Sequence, residues 1–335
     1  MPTPPVIDLH CHVLVPEAND LVAPEFAPEK DPFRRWAGER SNAYNATAFA
    51  DLVPAMTDPQ TRLRAMDRMG VDIQAVAPAP SQYAYWASPE LGGRAARLIN
   101  DAIADLVAGH PDRLVGLGTL PMQDPDAAVE ELDRIASTHG FPGVSINPSA
   151  EGVDYDDPRY EAFWQKAVER DVLVILHPNG FCDGQRLSDY YLINVVGNPL
   201  ETTVALSRII MGGVLERHPE VKLLAVHGGG YLPFYTDRMD HAAAHRPDVG
   251  YNLSRPPSTY LKQLYFDTVV FGDGLDYLVD RVGADHVCLG TDYPYDMGEA
   301  DPVARVGRVA GLSAEDRDKI QGLNAARLLK LKDLP

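Results

Sequence analysis

His10 and His12 close an apolar run, Val6-Ile7-Asp8-Leu9, and lie two residues apart. Along a strand, residues two apart share a face. The spacing therefore sends both imidazoles to one spot at the strand's C-terminal end. Such a pair suits a borderline divalent ion such as zinc. His-x-His alone also fits a polar strand end, but the same arrangement recurs along the chain. His177 directly follows the apolar run 172–176. His227 follows 223–226 and opens His227-Gly228-Gly229-Gly230. Asp292 follows 287–289 within Gly290-Thr291-Asp292-Tyr293-Pro294. Asp267 ends another apolar run, 264–267, and is a candidate to point into the same mouth as a supporting acceptor.

These residues need a scaffold that gathers strand ends. Apolar runs at 6–9, 71–76, 114–120, 143–146, 172–176, 221–226, 264–267 and 286–289 read as strands. Between them lie helical stretches, among them 58–69, 91–108, 125–137, 158–170 and 202–216. Asp58 can cap the first of these, Pro59 suits its first turn, and Gly70 stops it. Eight strands alternating with helices imply parallel pairing and right-handed crossovers. The expected fold is a (β/α)8 TIM-like barrel forming one domain over 1–335, with C-terminal helices at 302–310 and 314–329. Residues 13–57 read as an irregular excursion over the barrel mouth, too long for a simple connector. A doubly wound sheet is the weaker alternative, because no Gly-x-Gly-x-x-Gly turn follows the first strand. In a barrel all strand C-termini form one ring, where barrel enzymes carry their chemistry.

A net charge of −18 argues against nucleic-acid or anionic-membrane partners. An anionic substrate would need a metal or an arginine beside it. No apolar run reaches the ~20 residues that span a bilayer, and no signal peptide is evident at the proline-rich start. Cys11, Cys182 and Cys288 read as reduced thiols of a cytoplasmic protein. On a regular strand Cys11 points away from its flanking histidines. His110, His139 and His218 stand at helix ends, and His241 and His245 read as a solvated helix face.

With these residues in view, the chain resembles the amidohydrolase superfamily, in its decarboxylase-like branch of muconate-semialdehyde and aromatic-acid decarboxylases. The resemblance rests on DLHCH at 8–12, TRLRAMDRMGVDIQ at 61–74, VILHP at 174–178 and VHGGG at 226–230. It continues in DRMDHAAAHR at 237–246, RPPSTY at 255–260 and LGTDYP at 289–294. It implies a distorted barrel with one divalent metal per chain, zinc expected and manganese the alternative. The implied ligands are His10, His12, His177 and Asp292, and the implied water-activating histidine is His227. It further implies that Arg238 reaches the neighbouring subunit's site, so the expected assembly is a homodimer or a dimer of dimers. Tyr295 is expected beside the substrate. One departure stands out. Matching Asp58-Pro59 and Met66-Asp67 puts Ala50 where muconate-semialdehyde decarboxylases carry a carboxylate-binding arginine, leaving Arg35 or Arg40 as candidate substitutes.

The expected activity is metal-dependent, non-oxidative decarboxylation of a small unsaturated or aromatic carboxylic acid. A bound metal lowers the pKa of its water towards ~7, His227 is suited to accept or return a proton, and Asp292 can orient that water or itself deliver the proton. The alternative is a hydrolase or hydratase that uses the same centre on a ring-cleavage product or lactone.

Overall fold

The computed structural model describes residues 4–331. Eight parallel strands follow one another in chain order: β1 (Ile7–Val13), β2 (Ile73–Pro78), β3 (Leu114–Gly118), β4 (Gly143–Ile146), β5 (Leu173–Leu176), β6 (Lys222–Ala225), β7 (Leu264–Asp267) and β8 (Val287–Cys288). The sheet closes on itself. Leu9 N–H donates to Leu289 O (2.9 Å) and His12 N–H to Tyr293 O (2.8 Å), joining β1 to the segment after β8. The result is the (β/α)8 barrel expected from the alternation.

The two faces of the strands build two apolar clusters. Ile7, Leu9, Ile73, Ala75, Leu173, Ile175 and Leu224 pack together with Ala325, Ala326, Leu328 and Leu329 of the C-terminal segment. Cys11, Val13, Val76, Val174, Leu176 and Leu223 belong to the larger cluster with the surrounding helices. Residues 173–176 are apolar on both faces because both faces are covered, as in any parallel barrel strand. Burying each such side chain stabilises the fold by roughly 1.5–3 kcal/mol.

β1 departs from the regular alternation. Asp8 pairs with Gln74 but Cys11 pairs with Val76, so β1 carries one residue more than β2 across this stretch. This bulge switches the parity of the strand. Ile7 and Leu9 pack in the inner cluster before it, and Cys11 and Val13 in the outer cluster after it. His10 and His12 thereby turn to the mouth. The pair shares a face as expected, but only because the strand runs four residues beyond the expected end and is bulged.

The segment after β1 differs from its reading as an irregular stretch. It holds helices Pro16–Val22, Pro32–Trp36 and Glu39–Thr57. The last contains several alanines, the best helix formers. It also carries Phe49, Leu52, Val53 and Met56 at helical spacing, packed with Leu14, Ala79 and Tyr295. Its two asparagines, Asn42 and Asn45, and Pro54 obscure that pattern in the sequence. Helix Pro59–Met69 begins and ends as expected: Asp58 accepts from the Thr61 N–H (2.9 Å), and Gly70 takes φ +69°. Among the described residues no helix is long and apolar enough to cross a membrane.

Candidate metal centre

The strand-end residues converge on Asp292. Its Oδ1 lies 3.1 Å from His10 Nε2, 3.1 Å from His12 Nε2 and 3.7 Å from His177 Nε2. Its Oδ2 lies 3.4 Å from His227 Nε2. Ligand atoms of His10, His177, His227 and Asp292 all fall within 4.8 Å of one another. Residues from β1 and from the ends of β5, β6 and β8 thus meet at one point; this tightest group includes His227, expected as the water-activating histidine, and not His12, expected as a ligand.

Each imidazole on the wall is held from behind. His10 Nδ1 donates to Asp267 Oδ2 (2.5 Å), His12 Nδ1 faces Pro78 O (3.3 Å), and His177 Nδ1 faces Pro178 O (2.9 Å). A proton on each Nδ1 leaves each Nε2 as an acceptor pointing inward, the tautomer a metal ligand needs. Asp267 does not reach the mouth. Its other oxygen accepts from Gly228 N–H (2.8 Å), so one carboxylate ties His10 to the turn that carries His227.

That turn is strained into place. His227 has φ +53° and is followed by three glycines, all with positive φ. A Cβ at Gly229 would stand 2.6 Å from the Phe266 ring, and one at Gly230 2.2 Å from Pro199 O. Only glycine fits there. Asp292 also sits at φ +57°. A left-handed non-glycine residue costs of order 1–3 kcal/mol and persists only where its surroundings enforce it. The two residues expected to handle protons are both held this way.

The donor set fits a divalent metal. His10 Nε2 and His177 Nε2 are buried and have no hydrogen-bond partner. Buried polar atoms are rarely left in that state, and imidazole nitrogens with one carboxylate suit zinc or manganese. The electrostatics agree. Burial opposes a charge on Asp292, but the facing His10, His12 and His177 together outweigh it and hold the carboxyl well below its usual range. Burial likewise disfavours protonated His10, yet Asp292 and Asp267 raise it to about 10, so a second proton sits on Nε2 against Asp292, in the place a bound cation would take. Burial pushes His12 and His177 down, keeping them neutral.

Beside it lies a cavity of about 630 Å³ reaching His177, His227 and Asp292. It falls within the range of about 300–1,000 Å³ typical of small-ligand sites. Phe33, Phe49, Tyr191 and Tyr295 give it aromatic walls. Tyr295 stands 5.2 Å from the His12 ring, ring centre to ring centre. Ala50 is exposed and lines no part of this cavity, whereas Arg34 does. Arg35 lines an adjoining cavity of about 380 Å³, and Arg40 is exposed and lines neither. Arg238 is exposed on helix Asp237–His245, away from its own chain's cavity. Sequence reasoning missed Arg34 and also Asp8, Arg62, Gln74 and Thr291, which form a buried polar network behind β1. The Asp in DLHCH was the available signal. Burial raises Asp8 to about 6.

The model of one protein family, described as amidohydrolase, matches residues 7–331. A 2-amino-3-carboxymuconate-6-semialdehyde decarboxylase from Dictyostelium discoideum is 31% identical over 334 residues, covering 97% of this chain and 91% of that protein. Among solved structures, a 5-carboxyvanillate decarboxylase from Sphingomonas paucimobilis superposes with a TM-score of 0.86 at 25% identity, covering 98% of this chain and 99% of that one. A dihydroxybenzoic acid decarboxylase from Polaromonas, holding manganese and the inhibitor 2-nitroresorcinol, gives a TM-score of 0.80 at 26% identity, with 98% and 97% covered.

Proposed function

The chain belongs to the amidohydrolase family and is a metal-dependent decarboxylase, a carboxy-lyase of that superfamily, and from that premise we propose how its residues divide the work. His10, His12, His177 and Asp292 hold one divalent ion, and His227 moves the proton. The observation that carries this reading is the convergence of four Nε2 atoms on Asp292 at the floor of an aromatic-walled cavity. Zinc is the expected ion, since imidazoles with one carboxylate are a set it favours. Manganese, held by the Polaromonas neighbour, is its competitor.

The substrate class is a hydroxylated aromatic acid. Phe33, Phe49, Tyr191 and Tyr295 can pack against a ring, and Arg34 lines the same space. With Ala50 turned to solvent, the arginine expected there for a muconate substrate has no counterpart on that helix position.

A bound divalent ion supplies a Lewis acid that polarises substrate oxygens and offsets their charge. The chain's own residues do the rest. Tyr295 and the neighbouring aromatic walls orient the ring. Protonated His227 delivers its Nε2 proton to the ring carbon bearing the carboxylate, and a new C–H bond forms. The bond from that carbon to the carboxylate then breaks, its electron pair restores the aromatic ring, and carbon dioxide leaves. Asp292, 3.4 Å from His227, orients the imidazole.

Arg238 acts across a subunit boundary in a homodimer or a dimer of dimers. Tyr231, Phe234, Tyr235 and Tyr277 are exposed near its helix, an apolar face suited to a second copy. Unpaired Cys11, Cys182 and Cys288 suit a cytoplasmic setting. The function is tested by assaying carbon dioxide release from a panel of hydroxybenzoates and a muconate semialdehyde, with metal-loaded and chelator-treated protein. Release from a hydroxybenzoate, lost on chelation, is expected. Release from the semialdehyde alone would overturn the substrate class.

A further inference from the structure

Arg62 is 1% exposed, and no carboxylate lies within ion-pair distance of it among the described residues. A buried arginine in that position is expensive unless its donors are satisfied. One arm of its guanidinium donates to Gln74 Oε1 (2.8 Å), and the other donates to His12 O and Ala55 O (3.3 Å). Its charged plane lies over the Tyr293 ring at 5.1 Å. Gln74 passes the contact on. Its Nε2 donates to Asp8 Oδ2 (2.9 Å). Asp8, fully buried, also accepts from Thr291 Oγ1 (2.6 Å), Thr291 N–H (3.0 Å) and His10 N–H (3.1 Å).

The partners of this chain of contacts carry the argument. Arg62 grips the carbonyl of His12. Asp8 grips the amide of His10 and both polar groups of Thr291, the residue before Asp292. The β1 bulge explains the need. Between Asp8 and Cys11 the ladder to β2 is interrupted, and the Asp8 carboxylate takes up the His10 N–H. The same bulge turns His10 and His12 to the mouth. A positive and a negative group with one amide between them thus span the outside of the barrel wall and clamp the backbone of two candidate ligands and of the residue that precedes a third.

We propose that Arg62, Gln74 and Asp8 form a positioning relay behind the wall, which fixes the bulge in β1 and with it the angles at which His10, His12 and Asp292 meet the metal. None of the three touches substrate or ion. The relay acts on the geometry of the ligand set, and through it on the proton transfer that the ligand set supports. This inference rests on the ligand assignment proposed above.

The test uses full-length protein loaded with manganese at saturating concentration. Gln74→Met keeps the side-chain length and cuts the relay at its centre without altering a ligand. Thr291→Val, a milder change, removes one of the hydrogen bonds to Asp8 and covers the case in which Gln74→Met does not fold. The first readout is the electron paramagnetic resonance spectrum of the bound ion without substrate, compared with wild type, together with the manganese dissociation constant. The second is the split between kcat and KM. The relay predicts an altered spectrum, and a loss of roughly 10- to 100-fold in metal affinity or kcat, the usual range for groups that orient ligands, with KM within about twofold. A folded variant with the wild-type spectrum, affinity and kcat, changed only in melting temperature, would overturn the relay. Failure of wild-type protein to bind either manganese or zinc would instead overturn the ligand assignment itself.

Discussion

The wall of the barrel and the segment that roofs its mouth are built to different standards. On the wall, His10, His12, His177 and Asp292 are 1–5% exposed. Each of the three histidines has its Nδ1 side occupied. Across the mouth, helix Glu39–Thr57 has one buried residue, Met56, and Arg34, Asn42 and Tyr44 line the cavity from exposed positions. In the proposed assignment the wall sets where the ion and the proton are held. The roof supplies a surface that is aromatic, exchangeable and weakly held. On that assignment, reaction type would reside in strand ends and substrate choice in the excursion.

The largest expected effect comes from breaking the wall. His177→Ala removes an unpartnered inward nitrogen, and metal content falls below stoichiometric together with activity, read by elemental analysis of the purified protein. His227→Ala sharpens the distinction between ligand and proton carrier. It keeps the metal and loses roughly 10²–10⁴ in kcat, the range for a positioned acid or base. Loss of the metal as well would make His227 a ligand.

Asp267→Asn acts one step behind the wall, on the group that holds His10 Nδ1 and Gly228 N–H. Metal affinity or activity drops roughly 10- to 100-fold, measured by competition with a chelating dye and by steady-state assay. The roof responds differently. Arg34→Met raises KM for the acid by about tenfold with kcat nearly unchanged, the pattern of lost uniform binding. Ala50→Arg, on the exposed side of the roof helix, changes neither constant by more than about twofold, consistent with the small effects of surface substitutions. A large response at Ala50 would show that the helix turns over in the working enzyme.

This division also explains what could be read in the sequence. Strand ends were legible because apolar runs in a parallel barrel are covered on both faces, and the polar residue that ends such a run stands out. Asp58 and Gly70 marked their helix because caps are local chemistry. The β1 bulge left no local signature. Its presence follows from pairing with β2 and from Asp8, Gln74 and Arg62, which lie far apart in sequence. The roof helix carried a readable stripe at Phe49, Leu52, Val53 and Met56, but asparagines and Pro54 masked it. Arg34 could not be singled out, since its role depends on how helix Pro32–Trp36 is set against the mouth. Neighbouring Arg35, a candidate from the sequence, lines the adjoining cavity instead.

The most direct test of the account is the anomalous scattering of metal-loaded crystals, measured at the absorption edge of the bound ion. The account predicts one peak per chain, within bonding distance of His10, His12, His177 and Asp292, with His227 close by but unbound. A peak bonded to His227 in place of His12, or one outside this cluster, would contradict it.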